Sequence, residues 1–471
     1  MTPQLPLKVC EVLLRKGELY EVGGSVRDMK LGVPLLDRDY LVRGIAMKDL
    51  VSLLKPYGHA DWVGRSFGVI KFTFAGDEGK QTCTVDIALP RKERSTGPGH
   101  KEFEVDYDPH LSLEEDLKRR DFTVNAMAVN MRDGSLIDPF GGQEDLSQRK
   151  VKLIFPEAFA EDPLRMLRAM GLVARFDFSL DPGLRDRLAT DHPLLRNVSA
   201  ERIAEEFNKI LLRAATPSTA LRLMESTGML DVLLPELRPA VGCDQPGPYH
   251  KYDVFEHTCR TVDAAPRRLA VRWAALLHDV EKPATKHVTA NKVTFYNHEV
   301  LGARTAANVL SRLRYGRDLI EHVTVLIERH LFNTDMGDKG LRRLIRRVTP
   351  DRMPDLFDLR RADVIGMGMG GHADDVDALE LRFRAEIDAN SPLCRADLAV
   401  NGRVLMTELN IAPGKELGEV IDYLLERVLD EPAKNEKSML VALARKYLDR
   451  GAVLAASAIF GTLNYLGGFG G

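Results

Sequence analysis

A chain of 471 residues is too long for one ordinary core and implies about three or four domains. Its 44% hydrophobic and 29% charged content is that of a soluble globular protein, and a net charge of −3 excludes a broad basic footprint, so any nucleic-acid surface must be a local patch. Five cysteines (Cys10, Cys83, Cys243, Cys259, Cys394) include no CxxC pair, which argues for reduced thiols in the cytoplasm and against a cysteine-ligated zinc site. The N-terminal apolar stretch is broken by Lys8, Glu11 and Arg15 and does not read as a signal peptide. Residues 1–145 then alternate strand and helix signals. Residues 19–22, 40–42, 67–74 and 82–89 read as strands, and 47–54 as a helix.

The densest chemistry lies in residues 21–42, EVGGSVRDMKLGVPLLDRDYLV. Gly23-Gly24-Ser25 offers a tight turn into a short helix, whose free N–H groups, with the Arg27 guanidinium, suit a triphosphate. Asp37 and Asp39 flank Arg38, and strand residues i and i+2 share a face. The two carboxylates would therefore project side by side, as ligands for Mg²⁺ shared with substrate phosphates. A solvated surface turn is the plainer reading of a lone DxD. Together, GGSVRD and DRDYLV resemble the head of the class II tRNA nucleotidyltransferase and bacterial poly(A) polymerase family. Later stretches extend the resemblance over most of the chain ahead of residue 451. It implies an α+β fold, with a polymerase-beta-like mixed-sheet nucleotidyltransferase head at 1–145 and all-helical domains after it.

Asp86 is the lone acid of a predicted hairpin strand. Two readings stand for it, a third metal carboxylate or a strand-end cap against Arg91. Residues 90–109 are rich in turn formers without a period and read as a flexible loop over the site. In the family, such a loop goes with the ability to add the terminal A. Residues 113–129 read as one helix, acidic first and basic after, with Arg120 and Asp121 beside an apolar stripe of Phe122, Ala126 and Met127. RRDFTVNAMA matches the family motif whose Arg-Asp pair contacts nucleotide sugar and phosphates, and the glycines at 141–142 match its head-to-neck hinge.

In AEDPLRMLRAMGLVARF (160–176), Asp162 and Arg165 are three apart on one predicted helix face, with Arg168 a further three along and Arg175 extending the basic edge. One acceptor-rich and one donor-rich fork could imitate the edge of a template base, each bidentate contact discriminating by roughly 1–3 kcal/mol. A surface ion pair is the alternative. ERIAEEFNKILL (201–212) resembles the family's supporting neck helix.

GCDQPGP at 242–248 marks a boundary, beyond which His257, His278-Asp279, His298, His330 and Asp363 follow in order. Histidines and carboxylates so spaced can converge on one divalent transition metal or a pair. The order H…HD…H…H…D resembles an HD-type phosphohydrolase domain, with one departure: Glu281 stands where the family has glycine, and could crowd the metal or add a ligand. Arg342, Arg343, Arg346 and Arg347 lie at helical spacing and are candidate RNA-phosphate contacts, or a solvated face. Residues 366–371 (GMGMGG) read as a linker. The expected organisation is head 1–145, neck 146–245, HD-type domain 246–370, helical RNA-binding region 371–450 and tail 451–471. The tail is uncharged, but its six glycines make a poor transmembrane helix, so no membrane partner is expected. The resemblance implies template-independent addition of CCA to a tRNA 3′ end from CTP and ATP, and VGRSFGVIKF (63–72) favours that branch. A poly(A) polymerase sharing the head is the first alternative. An HD phosphodiesterase or phosphatase with a non-catalytic RNA-binding head is the second, and a tRNA-binding chaperone the third.

Overall fold

The computed structural model describes residues 4–35, 37–63, 68–76, 82–95, 103–247, 250–290, 292–370 and 373–449. These fall into two compact units. Residues through 243, with 308–317, form the first; 244–307, with 318 onward, form the second.

The first unit begins with a sheet that holds the four expected strands and one at His59–Val63 that was not expected. They are β1 (Glu18–Val22), β2 (Asp39–Arg43), β3 (His59–Val63), β4 (Val69–Ala75) and β5 (Thr82–Ala88). After a separate antiparallel pair, β6 (Arg91–Ser95) and β7 (Phe103–Tyr107), come β8 (Ala128–Asn130) and β9 (Leu136–Ile137). The sheet runs β3-β4-β5-β2-β1-β8-β9, and only β2 and β5 pair in parallel. Both faces are covered. Leu19, Tyr40, Val42, Ile70, Phe72 and Ile87 pack with helices Leu7–Lys16 and Met47–Leu54 on one side. Tyr20, Val22 and Leu41 pack with Leu113 and Leu117 on the other. The alternation of Tyr40, Leu41 and Val42 between the two clusters places Asp39 on the second face, with Leu41.

Two expectations are corrected here. The run 90–109 is not a loop throughout: β6 and β7 pair over five residues each, from Arg91 opposite Tyr107 to Ser95 opposite Phe103, and 96–102 lie outside the described residues. The helix expected over 113–129 ends at Lys118. Ser112 and Glu115 close a capping box at its start. Asp121 then accepts from its neighbour Phe122 N–H (2.8 Å) and from Asn125 Nδ2 (2.9 Å), a local side-chain-to-backbone bond that competes with the helical ladder. Phe122, Ala126 and Met127 are fully buried on either side of a turn that leads to β8, not as a helix stripe. The glycines at 141–142 make a close approach. Gly141 has φ +75°, and a Cβ on Gly142 would lie 2.1 Å from the Thr123 carbonyl oxygen. Beyond them, helices Arg165–Phe176 and Ala200–Arg213 pack against each other.

In the second unit, helix Leu269–Leu277 is buried from Ala270 on and apolar but for Arg272, whose Nε donates to the Ala265 carbonyl, and it ends at His278. Helices Val254–Ala264 and Met353–Gly366 cross in close contact. Gly366, expected in a linker, ends the second of these, and a Cβ there would fall 2.2 Å from Thr261 Oγ1. One turn away from that contact on each helix stand His257 and Asp363, so the glycine allows the two to meet. Helices Asp338–Val348, Gly402–Leu409 and Lys415–Asp430 follow. Among the described residues no helix is long and apolar enough to cross a membrane. Residues 64–67 of the VGRSFGVIKF stretch and the tail 451–471 lie outside the described residues.

Candidate active site and metal centre

Parallel pairing of β2 with β5 sets Asp39 directly opposite Asp86. Strand alternation puts both on the same face, because Val85 and Ile87 belong to the opposite cluster. Asp86 thus stands beside Asp39 on the face that carries both. Partial burial raises the Asp39 carboxyl, with Asp86, Asp37 and Glu21 adding to the rise and Arg120 opposing it. Asp86 is likewise raised, by burial and by Asp37, against Lys71. A cluster whose members disfavour one another's charge fits a bound cation. Gly23, at φ +80°, closes one wall: a Cβ there would meet the Arg120 guanidinium at 2.6 Å.

From this floor opens a cavity of about 610 Å³, lined by ten cationic side chains and five acids, with Asp39, Arg120, Asp162, Arg168, Arg202 and Lys209 among them. Its size is that of a small-ligand site and its sign that of a polyanion site. Asp121 is buried. Its desolvation is outweighed by Arg168, whose Nη2 lies 2.9 Å away, and by the Asn125 and Phe122 hydrogen bonds, so its carboxyl sits below the usual range.

Three site residues take partners that sequence spacing did not foretell. Arg27 is buried and donates to Asp28 Oδ1 (2.8 and 2.5 Å) and Asn125 Oδ1 (2.5 Å), so it forms wall rather than a free fork. Asp28 also accepts from Arg175 at 2.9 Å, and Phe176 lies between the two guanidinium groups at 4.8 and 4.4 Å. The side chains of Asp162 and Arg165 do not pair with each other, though the Arg165 N–H donates to the Asp162 carbonyl at 3.0 Å. Asp162 precedes the helix and accepts from Leu164 N–H and, through both oxygens, from Arg202 at 3.2 and 2.9 Å. Arg165 donates to the carbonyls of Ala158 (3.1 Å) and Arg119 (2.7 Å) and to Glu161 (3.3 Å). Arg202, Lys209 and Arg213 enter the cavity together from one helix. Their spacing of seven and four residues was the available signal.

In the second unit the six expected residues converge. His257 Nε2 lies 3.2 Å from both Asp279 and Asp363, and 3.1 Å from His278 Nε2. His298 Nε2 is 3.3 Å from Asp279. Two donor groups result, His257–His278–Asp279 and Asp279–His298–His330, with Asp279 common to both. The far ring nitrogens of His278, His298 and His330 meet the carbonyls of Ala275, Phe295 and Ile327 at 2.9, 2.6 and 2.7 Å, which turns each Nε2 inward. Both Asp279 oxygens and His298 Nε2 are buried and stand at ion-pair distance from Lys282, His257, His278 and one another, an inward convergence that suits a common ion. Burial and the neighbouring His278 push His330 down to about 3, whereas Asp279 and Asp363 overcome burial and lift His257 to about 9. Glu281 does not crowd this centre, because its Oε1 turns away to accept from Thr305 Oγ1 at 2.6 Å.

The arginine run is corrected in part. Arg342 is buried, donating to the Leu429 carbonyl (2.7 Å), Glu386 (2.6 Å) and the Asp430 carbonyl (3.3 Å), so it holds helices together. Arg343 and Arg346 share Glu426 at 2.9 and 2.8 Å, and Arg347 alone of the four is exposed. Arg342→Ala is expected to cost about 2–4 kcal/mol, because it leaves the half-buried Glu386 and two carbonyls without their donor. Arg347→Ala should stay within about 0.5 kcal/mol. Urea denaturation of both variants checks the contrast.

Fold and sites together define a nucleotidyltransferase head followed by an HD-type domain. The family model for the poly A polymerase head domain matches residues 19–152, and that for the HD domain matches 253–368. Models for a probable RNA- and SrmB-binding site of polymerase A and for a tRNA nucleotidyltransferase domain 2 match 177–241 and 385–444. The chain is 32% identical to the multifunctional CCA protein of Pseudomonas syringae pv. syringae, over 86% of this chain and 96% of the relative. With that of Azoarcus sp. it shares 36%, over 74% and 84%. It belongs to the multifunctional CCA protein family. The Bacillus stearothermophilus CCA-adding enzyme in complex with CTP has the same fold, with TM-score 0.69, 24% identity, and 94% and 97% of the two chains covered. The Thermotoga maritima CCA-adding enzyme complexed with tRNA superposes at TM-score 0.52 and 21% identity, over 93% and 98%.

Proposed function

We infer that the first unit adds CCA to the 3′ end of tRNA from CTP and ATP without a template, working in the cytoplasm. The observation that carries this is Asp39 opposite Asp86, at the floor of a cavity rich in arginine. Asp37, Asp39 and Asp86 would hold Mg²⁺, which when bound supplies charge neutralisation and acidifies a hydroxyl. Gly24 and Gly23 leave room for the triphosphate, and Arg120, with Arg168 behind Asp121, meets its charge through strong ionic hydrogen bonds. The terminal 3′ oxygen bonds to the α-phosphorus, the bond to the β-phosphate oxygen breaks, and pyrophosphate leaves. Asp162 and Arg165 read the base, with Arg202 holding the Asp162 carboxylate in place. On this reading the head is 1–145, the neck 146–245 and the arm-binding region 371–450, with Arg343, Arg346 and Arg347 toward RNA.

Asp162→Ala should lower the preference for C and A over U and G by about 10–100-fold, the value of one bidentate contact. Sequencing of extended 3′ ends reads it. The function itself is tested with tRNA transcripts ending before CCA, offered CTP and ATP singly and together. Ordered addition of two C and one A supports it, and addition of A alone to any RNA would replace it with a poly(A) polymerase. The second unit supports a separate reading, a phosphohydrolase whose donor groups, rich in imidazole, would hold a divalent transition metal or a pair. Release of p-nitrophenol from p-nitrophenyl phosphate, with and without added Ni²⁺, Mn²⁺ or Co²⁺, tests that.

A further inference from the structure

One imidazole lining the HD-type cavity stands outside the donor groups. His250 lies on the segment that leads into helix Val254–Ala264, and it lines the same cavity of about 330 Å³ as Asp279, Lys282, His298, His330 and Asp363. Its ring stands edge-on to His257, centroids 5.0 Å apart at 81°. Its Nδ1 is buried and has no hydrogen-bond partner among the described residues. Leaving a buried ring nitrogen unmatched disfavours the fold, which makes its position hard to explain as packing alone.

The segment is held in place. The Lys251 N–H donates to the Met367 carbonyl at 3.1 Å, and the Gln245 Oε1 accepts from Lys282 Nζ at 2.6 Å. Lys282 in turn sits 2.7 Å from Asp279. The donor groups, whose atoms lie within 4.8 Å of one another, include His257, His278, Asp279, His298 and His330 but not His250. It therefore shares the cavity while standing outside the ligand cluster. A neutral imidazole always carries one N–H to donate. Beside the Lys282 ammonium, such a donor suits an anion lying over the metal ligands.

We propose that His250 is a substrate-binding residue of the second unit, donating a hydrogen bond to a phosphoryl oxygen of the phosphate held over the His257–Asp279–Asp363 cluster. This deepens the phosphohydrolase reading and rests on it for the class of ligand. His250 takes no part in bond making. It orients a phosphoryl oxygen that Lys282 also faces.

The test titrates inorganic phosphate calorimetrically into the Ni²⁺-loaded full chain. Heat absent from Asp279→Ala is assigned to this cavity, which separates it from the phosphate-binding head. His250→Ala should weaken that binding about 10–100-fold, as loss of a hydrogen bond to a charged group does. Bound nickel measured by elemental analysis should stay at the wild-type ratio, and His250→Asn, which keeps an N–H donor, should recover part of the affinity. Equal phosphate affinity in His250→Ala overturns the proposal. So does nickel lost in step with phosphate, which would make His250 a ligand, and so does a wild type showing no phosphate heat beyond Asp279→Ala. If phosphate binding depends on His250 while no phosphoester is hydrolysed with any metal, the inference holds and only the hydrolase reading falls.

Discussion

Asp39→Asn is expected to slow incorporation of CMP and AMP by about 10³-fold or more while leaving the protein as stable as before, or more so. The substitution keeps shape and removes one charge from the strand pair at the floor of the cavity. Its sign on stability follows from the raised carboxyl of Asp39, whose charged form is opposed by burial and then by Asp86, Asp37 and Glu21. An acid raised on folding weighs against the native state at neutral pH, and that penalty fades as pH falls through its folded value. Asparagine removes the penalty at all pH. Site and fold thus pull in opposite directions at this residue, as they do where function is stored as strain. Single-turnover extension of a tRNA ending before CCA, run beside a thermal melt, gives both readings. Activity within tenfold of wild type, or a melting temperature that falls with activity, would remove Asp39 from the chemistry.

What could be read from the text divides along local and non-local lines. The turn at Gly23 and helix Met47–Leu54 were legible because neighbours in sequence decide them, whereas Asp37, expected on one strand with Asp39, precedes β2. Asp86 was ambiguous because its role depends on which strand it pairs with. Only the parallel register of β2 and β5 sets it opposite Asp39. The pairing of Asp162 with Arg202 spans 40 residues and two helices, so the i,i+3 spacing to Arg165 pointed to the wrong partner. Arg342 read like its neighbours, and only the helix partner carrying Leu429 and Asp430 shows it to be interior. The helix over 113–129 was overextended because its charges and apolar residues suited one, while the Asp121–Phe122 turn that ends it leaves little trace in composition. The six residues of the HD-type centre were found by kind and order. What could not be found that way was the sharing of Asp279 between two groups, or the outward turn of Glu281.

That sharing sets up the second large effect. Asp279→Ala should strip metal from both donor groups at once, whereas His330→Ala should empty only the group it belongs to. On the phosphohydrolase reading, hydrolysis by the second unit should fall by about 10³-fold or more with Asp279→Ala, because the carboxylate that would hold metal in both donor groups is lost. The unit should also lose about 3–5 kcal/mol, since the buried Lys282 ammonium is left without its carboxylate partner, while His257 keeps Asp363. CCA addition by the first unit should remain near wild type, provided the melt of the second unit stays above the assay temperature. Elemental analysis of metal per chain, the two activities and a thermal melt on the same preparations check each clause. Full metal content in Asp279→Ala would show that Asp279 holds neither group. A His330→Ala protein as empty as Asp279→Ala would show that the two groups bind one ion between them, and Asp279 would then be one ligand among several rather than the bridge.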